Sequence, residues 1–149
     1  MKLNYNFVIV LSLVSIFASS AHASFYDGKT PLLCSLYQLF ECDPPNDCVT
    51  VTPDKINGFS HFHIDFSKKV ITRADIETEQ QSKIMNVKAN IDGKLVIQGV
   101  EDGNANIRDG AGWSISIMDP EGTMTLASAA DGFAVVALGA CVPKPLSKK

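Results

Sequence analysis

The chain of 149 residues has little excess charge of either sign and few cysteines and histidines. Its 13 lysines and arginines stand against 16 aspartates and glutamates with the signs interspersed, which excludes the basic footprint of a nucleic-acid-binding protein. The four cysteines lack the paired CxxC-like spacing of a structural zinc site. No glycine-rich phosphate-binding loop occurs, so nothing indicates a nucleotide-binding enzyme of that type.

A long apolar run occurs only at the start of the chain. Lys2 precedes the run from Phe7 to Phe17, which is too short to span a bilayer, and small residues end the segment at Ala21-His22-Ala23. This pattern predicts a signal peptide over residues 1–23, with cleavage before Ser24. We therefore expect a periplasmic or secreted protein that keeps no membrane span after signal removal, with a single domain over residues 24–149.

The even number of cysteines in an exported chain predicts two disulfides. Three pairings can be drawn. We favour Cys42 with Cys48, because the five residues between them are rich in proline, asparagine and aspartate and favour a turn. Cys34 would then pair with Cys141 and close nearly the whole exported chain.

The segment around the first cysteine favours a helix. Thr30-Pro31 fits an N-cap followed by proline in the first turn, and apolar residues then recur at helical spacing. We predict one N-terminal helix from Pro31 to about Glu41. A strand is the alternative, because Cys34, Leu36 and Phe40 also share parity.

From Phe59 onward the apolar pattern changes to a period of two. The strongest hairpin signal is Asp92-Gly93, preceded by alternating Met85, Val87, Ala89 and Ile91. The pattern predicts a mainly β fold, an antiparallel meander of about seven strands that curls into a small barrel or half-barrel. With the helix and the two disulfides, this is the predicted fold class.

One strand carries a candidate metal site. Alternation places His61, His63 and Asp65 on the same face, opposite three apolar side chains. Two imidazoles and a carboxylate are ligands that zinc and copper accept. The alternative interpretation is a solvated outer face, which we favour because no further ligand can be named from spacing. No other cofactor is predicted.

A second candidate is a calcium loop. Asp102, Asn104 and Asn106 match the first, third and fifth positions of an EF-hand loop. The match fails at the sixth position, where Ile107 replaces glycine, and at the twelfth, where Trp113 replaces glutamate. A hairpin loop is therefore the preferred interpretation.

Several segments together resemble a group of small exported proteobacterial proteins of unknown function. They are Phe62-His63-Ile64-Asp65-Phe66, Gly112-Trp113-Ser114-Ile115, Glu121-Gly122-Thr123-Met124-Thr125, and Ala137-Leu138-Gly139-Ala140-Cys141, besides the early cysteines. The resemblance implies an exported β domain with disulfides. It assigns no catalytic residue.

These observations favour a non-enzymatic binding module whose partner is an envelope or extracellular protein or a small ligand. A hydrolase inhibitor that presents a rigid loop, such as Glu101 to Gly112, is one concrete form. The alternative is a zinc- or copper-binding protein that uses His61, His63 and Asp65. A hydrolase is a third hypothesis, for which no motif selects the catalytic residues.

Overall fold

The computed structural model describes residues 24–44, 47–56, 59–74, 81–103 and 110–144. The predicted signal peptide, 1–23, lies outside these residues. The described strands are β1 (Leu32–Cys42), β2 (Val49–Val51), β3 (His61–Asp65), β4 (Val70–Arg73), β5 (Ser82–Lys88), β6 (Lys94–Glu101), β7 (Ala111–Met118), β8 (Thr123–Ala130) and β9 (Phe133–Pro143). A 3-10 helix, Pro53–Ile56, follows β2.

The strands form one antiparallel sheet that closes into a barrel. From β3 to β9 each strand pairs with the next along the chain, and β1 pairs with both β3 and β9. In the described residues, eight strands therefore make the barrel, while β2 lies outside the ring and pairs only with β1. The mainly β, antiparallel barrel prediction is confirmed, although these residues contain more strands than the predicted seven or so.

The predicted N-terminal helix is wrong, because its residues form β1. Leu36 pairs with Gly139 and Gln38 pairs with Leu138, which leaves Tyr37 as an extra residue in a β-bulge. The bulge changes the parity of the strand, so Leu32, Leu36 and Leu39 all face inward. That spacing of four and then three residues is also the spacing of a helix face, which explains the wrong prediction.

A second bulge changes the predicted faces of β5. Ile84 pairs with Gly99 and Asn86 pairs with Gln98, so that Met85 is the extra residue. Ile84 and Val87 face the core side, while Met85 is 69% exposed. The predicted shared face of Met85 and Val87 is therefore wrong. The hairpin after this strand does turn at Asp92-Gly93, where both residues have positive φ.

The core fills the barrel at the end where the chain enters and leaves it, here called the sealed end. Its fully buried side chains are mostly branched aliphatic residues, namely Leu32, Ile64, Leu95, Ile97, Ile115 and Ile117. Tyr26 lies against this core, and its hydroxyl donates a hydrogen bond of 2.7 Å to the carbonyl oxygen of Cys141. Burial, and then the negative charge of Asp119, raise the pKa of Tyr26. The phenol therefore stays a neutral donor.

Disulfides join Cys34 to Cys141 and Cys42 to Cys48, the two pairings that the spacing favoured. Cys34 and Cys141 are direct partners in the pairing of β1 with β9, and both are buried. This bond therefore links the first and last strands of the closed barrel. The second disulfide ties the end of β1 to the segment that leads into β2.

Candidate functional site

In the part of the chain that the structure describes, a cavity of about 400 Å³ occupies the end of the barrel opposite the sealed end. We call this end the open end. Apolar side chains make up most of its wall: Leu36, Leu39, Phe59, Phe62, Ile71, Ala111, Trp113, Leu126, Ala130, Phe133, Val135 and Ala137. Four further residues are polar: Arg73, Ser82, Glu101 and Ser128. A concave, mostly apolar space with a few polar groups is the usual form of a small-molecule site.

Small inward side chains on β8 and at the start of β7 help to form the cavity. Along β8, the inward residues run from Met124 and Leu126 to Ser128 and Ala130. The neighbouring strand β7 begins at the open end with a small inward residue, Ala111, next to the large inward Trp113. Small side chains leave part of the barrel interior empty. At the sealed end, larger side chains fill the interior.

Gly99 positions Trp113 in the cavity wall. The two residues are cross-strand partners in β6 and β7. A Cβ atom on Gly99 would collide with the indole ring of Trp113 and with the carbonyl oxygen of Lys83. The absence of a side chain therefore lets the indole lie over β6. Trp113 is 8% exposed, and its Nε1 is buried without a hydrogen-bond partner among the described residues.

Three of the polar cavity residues lie on adjacent strands and form what we call the polar arc. Arg73 ends β4, Ser82 begins β5 and Glu101 ends β6. Ser82 is 8% exposed, and its hydroxyl donates a hydrogen bond of 3.4 Å to Glu101 Oε2. Arg73 and Glu101 are half-buried, and each has a further interaction partner in the protein. The arc thus combines one positive and one negative charge beside a buried hydroxyl group.

The other side of the cavity is apolar. Leu36 and Leu39 of β1 lie beside Val135 and Ala137 of β9, because these strands pair along their length. The ring of Phe59 packs edge-on against that of Phe62, with centroids 5.3 Å apart. A molecule in this cavity would therefore meet charged groups on one side and hydrocarbon or aromatic groups on the other.

The predicted metal ligands lie elsewhere, on the outward face of β3. His61 is exposed, whereas His63 and Asp65 are half-buried. Asp65 Oδ1 accepts hydrogen bonds from the Ser67 hydroxyl (2.6 Å) and from the backbone N–H groups of Ser67 and Lys68 (3.0 Å each). The Ser67 hydroxyl and the Lys68 N–H are the main reasons that the pKa of Asp65 is lowered. This carboxylate therefore already has a structural role in the turn between β3 and β4.

His63 differs from His61 in its surroundings. Its Nδ1 atom is buried and has no hydrogen-bond partner among the described residues. Burial, and then the positive charge of Lys144, lower the pKa of His63 and favour the neutral imidazole. In the part of the chain that the structure describes, no three histidine, cysteine, aspartate or glutamate residues form a group that could hold a metal ion. The zinc or copper site stays a prediction.

The predicted calcium loop is only partly described. Asp102 is exposed and forms an ion pair with Lys83 across β5 and β6. Asn104 and Asn106 lie outside the described residues. Calcium binding by this loop likewise stays a prediction.

Sequence reasoning missed the cavity residues, although two signals were present. Arg73 shares parity with inward Ile71, and Ser82 shares parity with inward Ile84. Glu101 likewise falls in phase with Leu95, Ile97 and Gly99. Charged or hydroxyl side chains at the inward positions of strand ends, together with small inward residues on β8, indicate an interior that is not fully packed.

Comparisons with protein-family models, curated proteins and solved structures found no match for this chain. Within the described ranges, no helix has the length and apolar character needed to cross a membrane. The functional argument therefore depends on the cavity itself.

Proposed function

We propose that this protein is an exported, non-enzymatic binding protein that holds one small, largely apolar molecule in the open end of its barrel. The observation that carries the proposal is the cavity of about 400 Å³, whose wall is mostly apolar and includes three phenylalanines and a tryptophan. Its volume lies within the range of about 300 to 1,000 Å³ that is typical of small-molecule sites. Eight-stranded barrels are wide enough to hold one such ligand.

Export is part of the proposal. Its support is the N-terminal sequence pattern together with two disulfides, which persist in oxidising compartments. The disulfides also favour a rigid container. A cavity that exists before the ligand arrives loses less conformational entropy on binding.

The proposal can be tested with the neutral fluorescent probe N-phenyl-1-naphthylamine, which brightens in apolar surroundings. The protein is expressed from the full-length sequence and purified in its oxidised form. Trp113 is the only tryptophan of the chain and lies in the cavity wall, so energy transfer from it to the probe reports binding close to it, and the variants described next locate the site. We expect saturable binding of one probe per molecule.

Two neighbouring alanines of β8 provide a matched pair of variants. Ala130 lines the cavity, whereas Ala129 is exposed on the outer face. We expect Ala130→Phe to weaken probe binding at least about tenfold by filling the space, and Ala129→Phe to leave it unchanged. Ser128→Phe, also in the wall, replaces Ala130→Phe if circular dichroism shows that the latter is unfolded. Equal affinity in both alanine variants, or no saturable binding by the unmodified protein, would overturn the proposal.

A further inference from the structure

Among the described residues that line the cavity, the charged ones are Arg73 and Glu101, which belong to the polar arc and have opposite signs. Arg73 and Glu101 belong to β4 and β6, with the single strand β5 between them. Neighbouring strands lie about 4.8 Å apart, so the two strands that carry the charges are separated by roughly 10 Å. A ligand head group beside Ser82 therefore lies within the field of both charges.

A net-charged head group is disfavoured in such a place. A carboxylate that gains attraction from Arg73 meets repulsion from Glu101, and an ammonium group meets the reverse. In this half-buried position, the loss of hydration of an ionised head group adds a further cost.

A neutral, dipolar head group avoids these costs. It can donate a hydrogen bond to the Glu101 carboxylate and accept one from the Arg73 guanidinium, and hydrogen bonds to charged partners are stronger than neutral ones. The apolar side of the cavity, with Leu39, Phe62 and Val135, suits the hydrocarbon or aromatic remainder of the molecule.

We infer that the polar arc selects an amphipathic ligand whose head group is uncharged and carries both a donor and an acceptor, as a primary amide does, over carboxylic acids and amines of the same size. This inference rests on the proposed function. The inference adds to the proposed function the chemical class of the ligand and the two residues that determine specificity, Arg73 and Glu101.

The test compares three molecules that share one hydrocarbon chain: octanamide, octanoate and octylammonium. Each competes with bound N-phenyl-1-naphthylamine near neutral pH, below its micelle concentration. We expect octanamide to displace the probe at a concentration at least about tenfold lower than the two ions require. Tighter or equal binding of either ion to the unmodified protein would overturn the inference.

Two variants each remove one charge of the polar arc and should shift the relative affinity of the two ions in opposite directions; Glu101→Gln also keeps the shape of its side chain. Glu101→Gln leaves the positive charge of Arg73 and should improve octanoate at least about tenfold relative to octylammonium. Arg73→Gln should improve octylammonium relative to octanoate by a similar factor. An unchanged order of the two ions in both variants would also overturn the inference. If only one of the two variants folds, the relative affinity of octanoate and octylammonium for that variant alone is the test.

The two proposals fail in different ways. If the probe does not bind in the cavity, the proposed function is wrong. If the probe binds but the order of the three competitors is not the expected one, or none of them displaces it, the binding function stands and the amide-type ligand class is wrong.

Discussion

Single residues on the outer face of the barrel have roles that their chemical type alone does not reveal. Asp65 resembles a metal ligand, but its carboxylate accepts hydrogen bonds from Ser67 and Lys68 in the turn. His63 and His61 are two positions apart on the same face, but His61 is exposed, whereas His63 is half-buried and its Nδ1 atom is buried. Burial, and then the positive charge of Lys144 near the end of the described chain, lower the pKa of His63.

The burial of His63 predicts that stability falls in mild acid. Its pKa in the folded state is lowered from 6.5, so below about pH 6.5 the unfolded chain binds the proton first. The free energy of unfolding should therefore decrease as the pH falls below about 6.5, until the folded-state pKa is passed. Urea denaturation between about pH 7.5 and pH 5 measures this slope, and His63→Gln should reduce it.

His61→Gln is the matched control, since His61 is exposed on the same strand. We expect it to keep the pH dependence of the unmodified protein. Aspartates such as Asp65, whose pKa is lowered from 3.8, lose their contribution only at more acidic pH. A slope that is the same with and without His63 would contradict the assignment.

At the scale of the strand, two bulges determine which residues face the cavity. The extra residues Tyr37 and Met85 are large and apolar, but they are 68% and 69% exposed. Next to each bulge, the facing strand supplies an inward glycine, Gly139 opposite Leu36 and Gly99 opposite Ile84. A Cβ atom on either glycine would collide with a backbone carbonyl oxygen, of Ser35 or Lys83 respectively. Each bulge therefore coincides with a close approach of two strands.

Removal of a bulge residue should be tolerated better than removal of a residue from a regular strand. Deletion of Tyr37 makes Leu36, Gln38 and Leu39 alternate regularly, with Leu36 and Leu39 still facing inward. We expect this deletion to reduce the free energy of unfolding by less than about 2 kcal/mol, measured by urea denaturation.

Deletion of Ser114 is the control, because β7 pairs with β6 and β8 without a bulge. This deletion moves one half of the strand to the opposite parity, so that either Trp113 or Ile115 must leave the interior. We expect no cooperatively folded protein. If the two deletion variants had similar free energies of unfolding, the prediction that β1 tolerates the loss of its bulge residue Tyr37 would be wrong.

At the scale of the whole molecule, closure depends on the pairing of the first and last strands. β1 and β9 pair from Leu32 with Pro143 to Cys42 with Ala134, across nearly the full described sequence. The Cys34–Cys141 disulfide links two partners within this pairing. The result is a barrel whose sealed end is packed with branched side chains and whose open end contains the cavity.

The two disulfides should differ in their contribution to stability. The Cys34–Cys141 bond spans 107 positions, and the Cys42–Cys48 bond spans 6. In the chain-entropy model, the first stabilises by about 4 to 5 kcal/mol and the second by about 2 to 2.5 kcal/mol. Urea denaturation of the double variants Cys34→Ala/Cys141→Ala and Cys42→Ala/Cys48→Ala measures the difference. An equal or larger loss for the Cys42–Cys48 pair would contradict the closure argument.

The sequence by itself determined the features that depend on neighbouring residues. The period of two after Phe59 predicts strands, and Asp92-Gly93 predicts a tight hairpin because positive φ is readily adopted there. The proline-rich segment between Cys42 and Cys48 favours a turn, and the turn brings these two cysteines close enough to pair.

Only the tertiary structure decided which faces point inward and where the interior stays open. Local parity cannot reveal a bulge, which is defined by the pairing of Leu36 and Gln38 with residues about a hundred positions away in β9. For the same reason, the sequence does not show that Arg73, Ser82 and Glu101 meet around one cavity. Their proximity depends on the alignment of β4, β5 and β6 and on the closure of β1 against β9, because contacts between distant segments are set by packing and not by local propensity.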